Sequence, residues 1–534
     1  MRPITDVAAD LGLHPEDLEL YGPDKAKLSP AAITRLNDAP QGRLVLVTGI
    51  NPTTGGEGKT TTSIGLTQAL RRQGVKATAA LREPSIGPVM GIKGGGTGGG
   101  GSQIHPAEQI NLHFTGDLHA VTTANNLLSA TIDNSMFHGN PHELDPRRIT
   151  WRRCLDMNDR ALRNIVVGMG GTTDGIPREE GFDITPASEV MAILSVASSL
   201  EDLQRRLASV IVGYTREIQP VCCRDLGVEV AMTALLRQAL QPNLVQTTDG
   251  GPAFVHGGPF ANIALGCNSL MATRAALATS EVTVTEAGFG SDLGAEKFFN
   301  IYSRIGGLRP EVAVIVATAR ALKQHGGVKP KELETENVGA LRDGLVNLDA
   351  HIDNIQRHGL TPVVAVNRFP SDTDAEVAVI LAHCAARSVR AAEADPFGGG
   401  GEACLALGEV VQDALTVGGQ LRYLYELDQP LDAKIAAVAH DVYGAGRVVY
   451  QRQAKLTLRR MKRMGMEHLP VCIAKTQYSL SADPALRGRP TNHEFPVREV
   501  RPSAGAGFLV VIAGEIMTMP GLPKSPAATR FTLD

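Results

Sequence analysis

The chain has 534 residues, 43% apolar and 20% charged, with a formal net charge of −4 and a sequence pI near 6.4. That length exceeds one ordinary hydrophobic core and predicts two or three domains. Lys and Arg are scattered rather than blocked, which argues against nucleic acid or an acidic membrane as partner, and the apolar runs fall far short of a bilayer span. Seven cysteines without a CxxC pair, and an N-terminal stretch that is acidic and lacks an apolar core, predict reduced thiols, no secretory signal and a cytoplasmic protein.

In chain order, short continuous apolar runs recur at residues 43–48 (RLVLVT), 282–285 (VTVT), 312–317 (VAVIVA), 362–366 (PVVAV) and 508–513 (FLVVIA). Unbroken runs of this kind belong to parallel strands covered on both faces. Helical patterns lie between them, at 60–73 closed by Gly74 and at 376–390. The fold class is therefore α/β. Ligands of such sheets sit at the C-terminal strand ends, which singles out INPTTGGEGKTTT, REPSIGP, TEAGFGSD, NRFPSDT and AGEIMTMPG.

The first of these segments carries Gly55, Gly56, Glu57, Gly58, Lys59, Thr60 and Thr61 between a buried strand and a helix, the setting of a P-loop. Small residues let backbone N–H groups curl around phosphate oxygens at a helix start. Lys59 would neutralise β/γ-phosphate charge and Thr60 would ligate Mg²⁺. The strict pattern asks for glycine where Thr53 stands. A Gly-rich turn with an incidental lysine is the alternative, and GKT directly after a strand favours phosphate. A P-loop alone also fits a switch or partitioning ATPase, which needs an Asp-x-x-Gly-type strand end; none is evident. A dinucleotide oxidoreductase is weaker still, because Leu293 replaces the third glycine after Gly288-Phe289-Gly290.

A second strand at residues 75–81 ends at Arg82-Glu83-Pro84-Ser85, on the same sheet edge as the loop. Arg82 could there grip a γ-phosphate and an acyl oxygen together; a surface salt bridge with Glu83 is the alternative. The glycine run at 94–101 has a linker's composition. Gln103, His105, Asn111, His113, Asp117, His119, Asn125 and Asn126 follow closely, which favours an ordered loop closing over a polar ligand. No HExxH or zinc spacing occurs. Asp117 could orient a reacting centre or a cation, or be a buried, satisfied carboxylate.

REPSIGPVMGIKGGGTGGGGSQIHP, NLHFTGD, FVHGGPFANIA, TEAGFGSDLGAEKF, NRFP, AKTQYSLS and GEIMTMPGLPK, in that order, resemble the formate–tetrahydrofolate ligases over nearly the whole chain. The resemblance implies ATP-dependent ligation of formate to tetrahydrofolate by way of formyl phosphate, in a cytoplasmic homotetramer whose partners are those small molecules. It implies a P-loop nucleotide-binding parallel sheet with helices on both faces, within residues 1–350. Two smaller α/β domains follow, 351–450 with the folate-stacking aromatics and 451–534. Lys59, Arg82 and Asp117 would be catalytic, Mg²⁺ would sit on Thr60, and Glu83 would serve an activating monovalent cation, K⁺ or NH₄⁺. The pterin would stack on Phe369 and Phe397, as flat heteroaromatics do, with Phe289 lining the region. Phe397 stands where the family usually has tryptophan, Leu265 where it usually has histidine, and Thr54-Gly55 where Pro-Ala is common.

Overall fold

The computed structural model describes residues 1–532. Its main feature is a 12-stranded sheet built from β1 (Leu18–Leu20), β2 (Ala26–Leu28), β3 (Arg43–Gly49), β4 (Ala77–Leu81), β5 (Gly98–Gly99), β6 (Ser102–His105), β7 (Asn243–Thr247), β8 (Pro252–Val255), β9 (Val282–Glu286), β10 (Pro310–Ala317), β11 (Thr361–Asn367) and β12 (Arg390–Ala394). The spatial order is β1-β2-β7-β8-β4-β9-β3-β10-β11-β12, with β6 beside β7 and β5 beside β6. From β8 through to β12 every pairing is parallel. The fold is mixed α/β around a large, mostly parallel sheet.

Alternate residues of each central strand enter different cores, which is why their apolar runs are unbroken. Val45, Val47, Val314, Val316 and Val363 pack with Leu66 and Leu70 of α1 (Lys59–Arg72) and with Leu407 and Val411, from a helix across the same face. Leu44, Leu46, Ile315, Val364 and Val366 face the opposite core, with Phe298, Leu322 and Leu348. That second core includes α2 (Asp117–Phe137), α3 (Ala319–His325) and α4 (Val338–Arg357).

Two expectations shift. The helix expected at 376–390 runs Asp374–Ala386, opened by a Thr373/Glu376 capping box. Ser388 then turns into the left-handed region at φ 55°, and β12 begins at Arg390. The run at 508–513 forms Phe508–Ile512, which lies outside the central sheet. It is the middle strand of a three-stranded sheet, parallel to Val471–Ala474 and antiparallel to Glu499–Ser503, over a core that includes Ile435 and Phe495. At the glycine run β5 and β6 pair antiparallel as a hairpin, so the run is ordered, as its flanking polar residues favoured. Among the described residues no helix is long and apolar enough to cross a membrane.

Candidate active site

Strands β4, β9, β3, β10 and β11 deliver residues 82–83, 287–290, 50–58, 318–320 and 368–369 to one edge of the sheet. Gly58 caps α1 at φ +73°, and a Cβ there would lie 2.5 Å from Asn367 Nδ2. That amide donates to Glu57 O at 2.9 Å, so both the conformation and the space demand glycine. The Glu57 carboxylate turns inward. It accepts from Thr53 N at 2.6 Å and from the Thr318 hydroxyl, which ties the loop to the end of β10.

Lys59 and Thr60 open α1. Thr60 Oγ1 donates to Glu286 Oε2 at 2.8 Å, and Arg82 Nε lies 3.4 Å from Glu286 Oε1. Thr61 follows, half-buried. Enclosure lowers the Lys59 ammonium to about 8, against the opposing pull of Glu286 and Glu57. Residues chosen from the sequence thus meet at one that sequence reading passed over. The signal was present: Glu286 ends VTVTE, and β9 lies next to β3. The salt bridge weighed between Arg82 and Glu83 does not form, because consecutive residues leaving a strand point to opposite sides.

On the other side lies a buried charged cluster. Lys27 Nζ is 2.8 and 3.0 Å from the two oxygens of Asp117, and Asn243 Nδ2 donates to Asp117 at 2.8 Å. Burial and the neighbouring Asp117 charge hold the Glu83 carboxyl well above the usual range, with Lys27 opposing. Asp117, at the start of α2, is thus a satisfied carboxylate whose neighbour is a neutral acid. Lys27, from YGPDKAK, is a second residue that no local pattern identified.

The three aromatics follow different strands, Phe289 after β9, Phe369 after β11 and Phe397 after β12. The Arg320 guanidinium sits 3.7 Å over the ring centroid of half-buried Phe369. Phe397 is 65% exposed, and its carbonyl accepts from Gly101 N at 2.9 Å. A Cβ on Gly99 would meet that ring at 3.0 Å, so the glycine hairpin packs directly on the Phe397 loop. Phe289 follows β9 with φ 62°, uncommon for a bulky residue.

Behind the loop, Asn51 is held at every polar group. Its N–H donates to His351 Nε2 and its carbonyl accepts from His325 Nε2, both at 3.0 Å. Its amide nitrogen donates to Asp292 at 3.2 Å, and its side-chain oxygen accepts from Asn347 at 2.9 Å. Asp292 also pairs with fully buried Lys475 of AKTQYSLS at 2.5 Å. Desolvation lowers both imidazoles to about 4, so both are neutral at physiological pH.

The arrangement can hold a polyanion. Two cationic side chains and a helix N-terminus face one space, and a hydroxyl beside a carboxylate offers the hard oxygen donors that Mg²⁺ takes. Among the described residues there is no group of three or more His, Cys, Asp or Glu that could hold a metal, so such an ion would share its coordination with ligand oxygens.

The sequence model of the family described as Formate--tetrahydrofolate ligase matches residues 1–534. A relative from Paracoccus denitrificans (strain Pd 1222), named Formate--tetrahydrofolate ligase, is 56% identical over 532 residues, covering 100% of this chain and 96% of its own. A relative of the same name from Maricaulis maris (strain MCS10) is 55% identical over 536 residues, with the same coverage.

Proposed function

The chain belongs to the formate–tetrahydrofolate ligase family, and from that premise we propose that it joins its substrates through formyl phosphate, at the strand edge where Lys59, Thr60, Arg82 and Glu286 meet. Formate is a poor electrophile, because it is anionic and its leaving group would be hydroxide. Transfer of the γ-phosphoryl group of ATP to a formate oxygen removes both obstacles. Lys59 and Arg82 spread the charge that develops on the phosphoryl oxygens. Thr60, with Glu286 alongside, would hold Mg²⁺, which when bound would supply Lewis-acid polarisation of the phosphoryl oxygens.

The N10 amine of tetrahydrofolate then attacks the formyl carbon, and phosphate departs. The acyl phosphate must be kept from water meanwhile, and the glycine hairpin packed on Phe397 is placed to do so. The pterin stacks on Phe369 and Phe397, with Phe289 beside it. Glu83 is the residue that would hold an activating K⁺ or NH₄⁺, and Asp117, beside it, is assigned to the catalytic centre with Lys59 and Arg82. The assembly is read as a homotetramer.

One observation carries this reading: Thr60 and Arg82 converge on the two oxygens of Glu286. The test supplies Mg-ATP, tetrahydrofolate and ¹⁸O-labelled formate. Label recovered in inorganic phosphate, in step with formyl-folate, is the expected result. Formyl-folate formed with unlabelled phosphate would overturn the acyl phosphate route.

A further inference from the structure

Arg320 serves nothing in the reaction as described, yet it touches two parts of the site at once. It lies in α3, just beyond the end of β10. Its guanidinium covers one face of Phe369 at 3.7 Å, leaving at most the opposite face for a ligand. Its Nη2 donates to the Gly56 carbonyl, and its Nε lies 3.6 Å from the Glu57 carboxylate. Phe369 is fixed from its own side as well, since its N–H donates to Asp372 at 2.9 Å.

We propose that Arg320 is a positioning residue that couples the Gly-rich loop to the Phe369 platform, so that nucleotide on the loop changes the affinity for tetrahydrofolate. The proposal rests on Phe369 being the pterin-stacking residue. Its physical basis is the shape of guanidinium, a rigid plane that can stack on a ring while its edge donates to a carbonyl. A peptide whose carbonyl accepts a charged donor is polarised, and its own N–H becomes a better donor. Phosphate drawing on the N–H groups of residues 56–58 would therefore tighten the Gly56–Arg320 bond and fix the ring beneath the guanidinium. A lysine at this position cannot do both. Its ammonium is a compact point charge, free to stack or to reach the carbonyl.

Calorimetry on the full-length enzyme tests this, with tetrahydrofolate titrated in the presence and absence of Mg-ADP. In the unaltered enzyme Mg-ADP is expected to change the tetrahydrofolate Kd by at least about 5-fold, within the usual range of coupling between sites. Arg320→Met should reduce that factor below about 2 and raise the KM for tetrahydrofolate by roughly 10-fold, with kcat within about 3-fold. Arg320→Lys should lose the coupling too. Phe369→Leu removes the other end of the link, so the double variant should be no worse coupled than either single one. Coupling that survives in Arg320→Met, losses that add in the double variant, or no coupling in the unaltered enzyme would each overturn the proposal. An unaltered enzyme that makes no formyl-folate would overturn the functional reading itself.

Discussion

Thr60 Oγ1 donates to Glu286 Oε2 at 2.8 Å, joining the second residue of α1 to the last residue of β9 across the adjacent strands β3 and β9. The other oxygen of the same carboxylate faces Arg82, so one glutamate sets the spacing of hydroxyl and guanidinium. Glu286→Gln keeps the volume and removes the charge. The expected result is a kcat lower by about 10²–10³-fold, the usual scale for a group that organises charge in a transition state. Circular dichroism should be unchanged. A kcat within a few-fold of the unaltered enzyme would remove Glu286 from the site.

The buried carboxyls Glu83 and Asp117 are expected to respond unequally to replacement by the amide. Asp117 balances Lys27, whose side chain is fully buried. Asp117→Asn leaves that ammonium without a counter-charge, a loss on the order of 3–5 kcal/mol. Glu83 is already held neutral by burial and by Asp117, so Glu83→Gln exchanges one neutral group for another at about 1 kcal/mol or less. Urea denaturation of the two variants measures the difference directly. A larger loss in Glu83→Gln than in Asp117→Asn would mean that Glu83, not Asp117, is the charged partner of Lys27, and equal losses would argue against a neutral Glu83.

These contrasts mark what the amino-acid order could disclose. The runs at 43–48, 282–285, 312–317 and 362–366 were legible because each strand is buried on both faces and so reads as uninterrupted hydrophobicity. The Gly-rich loop was legible because its geometry needs glycine at fixed positions. Residues 508–513 carried the same strand signal, but periodicity reports burial and not the sheet a strand joins. Glu286 was hidden because a carboxylate closing a strand resembles an ordinary turn until β9 is known to lie beside β3. Lys27 and the histidines around Asn51 were beyond reach for a plainer reason: their partners are 90 to 300 residues away in the chain.

The two glycines flanking the loop's turn should tolerate alanine very differently. At Gly58 the backbone is left-handed and a Cβ would lie 2.5 Å from Asn367 Nδ2. Left-handed backbone alone costs about 1–2 kcal/mol, and the clash displaces an amide that braces Glu57 O. At Gly55 no left-handed backbone is required, and the nearest atoms to a Cβ stand 3.8 Å or more away. Gly58→Ala is expected to raise the KM for ATP at least about 10-fold, and Gly55→Ala to leave it within about 2-fold. Initial rates across an ATP series decide the matter, and a Gly55→Ala enzyme as impaired as Gly58→Ala would argue against a loop shaped by Asn367.

Glu296 should give the protein a pH dependence that a single atom's replacement removes. It is fully buried; one oxygen accepts from Asn300 at 2.9 Å and the other has no hydrogen-bond partner among the described residues. Burial raises its carboxyl to about 7, with Asn300 and Lys297 opposing. The folded value lies above the ordinary carboxyl value near 4.3. The stability carried by the neutral form is thus fully present below about pH 4 and is lost as pH rises through 7. Glutamine cannot ionise, so Glu296→Gln lacks this loss. Denaturation of both proteins at intervals from pH 4 to 8 should show their stability difference moving in favour of the variant, by roughly 3 kcal/mol over the range. Most of that change should fall between pH 4.5 and 7. A difference that stays constant across the range would mean that Glu296 is ionised in the folded protein, and that Lys297, rather than desolvation, governs its charge.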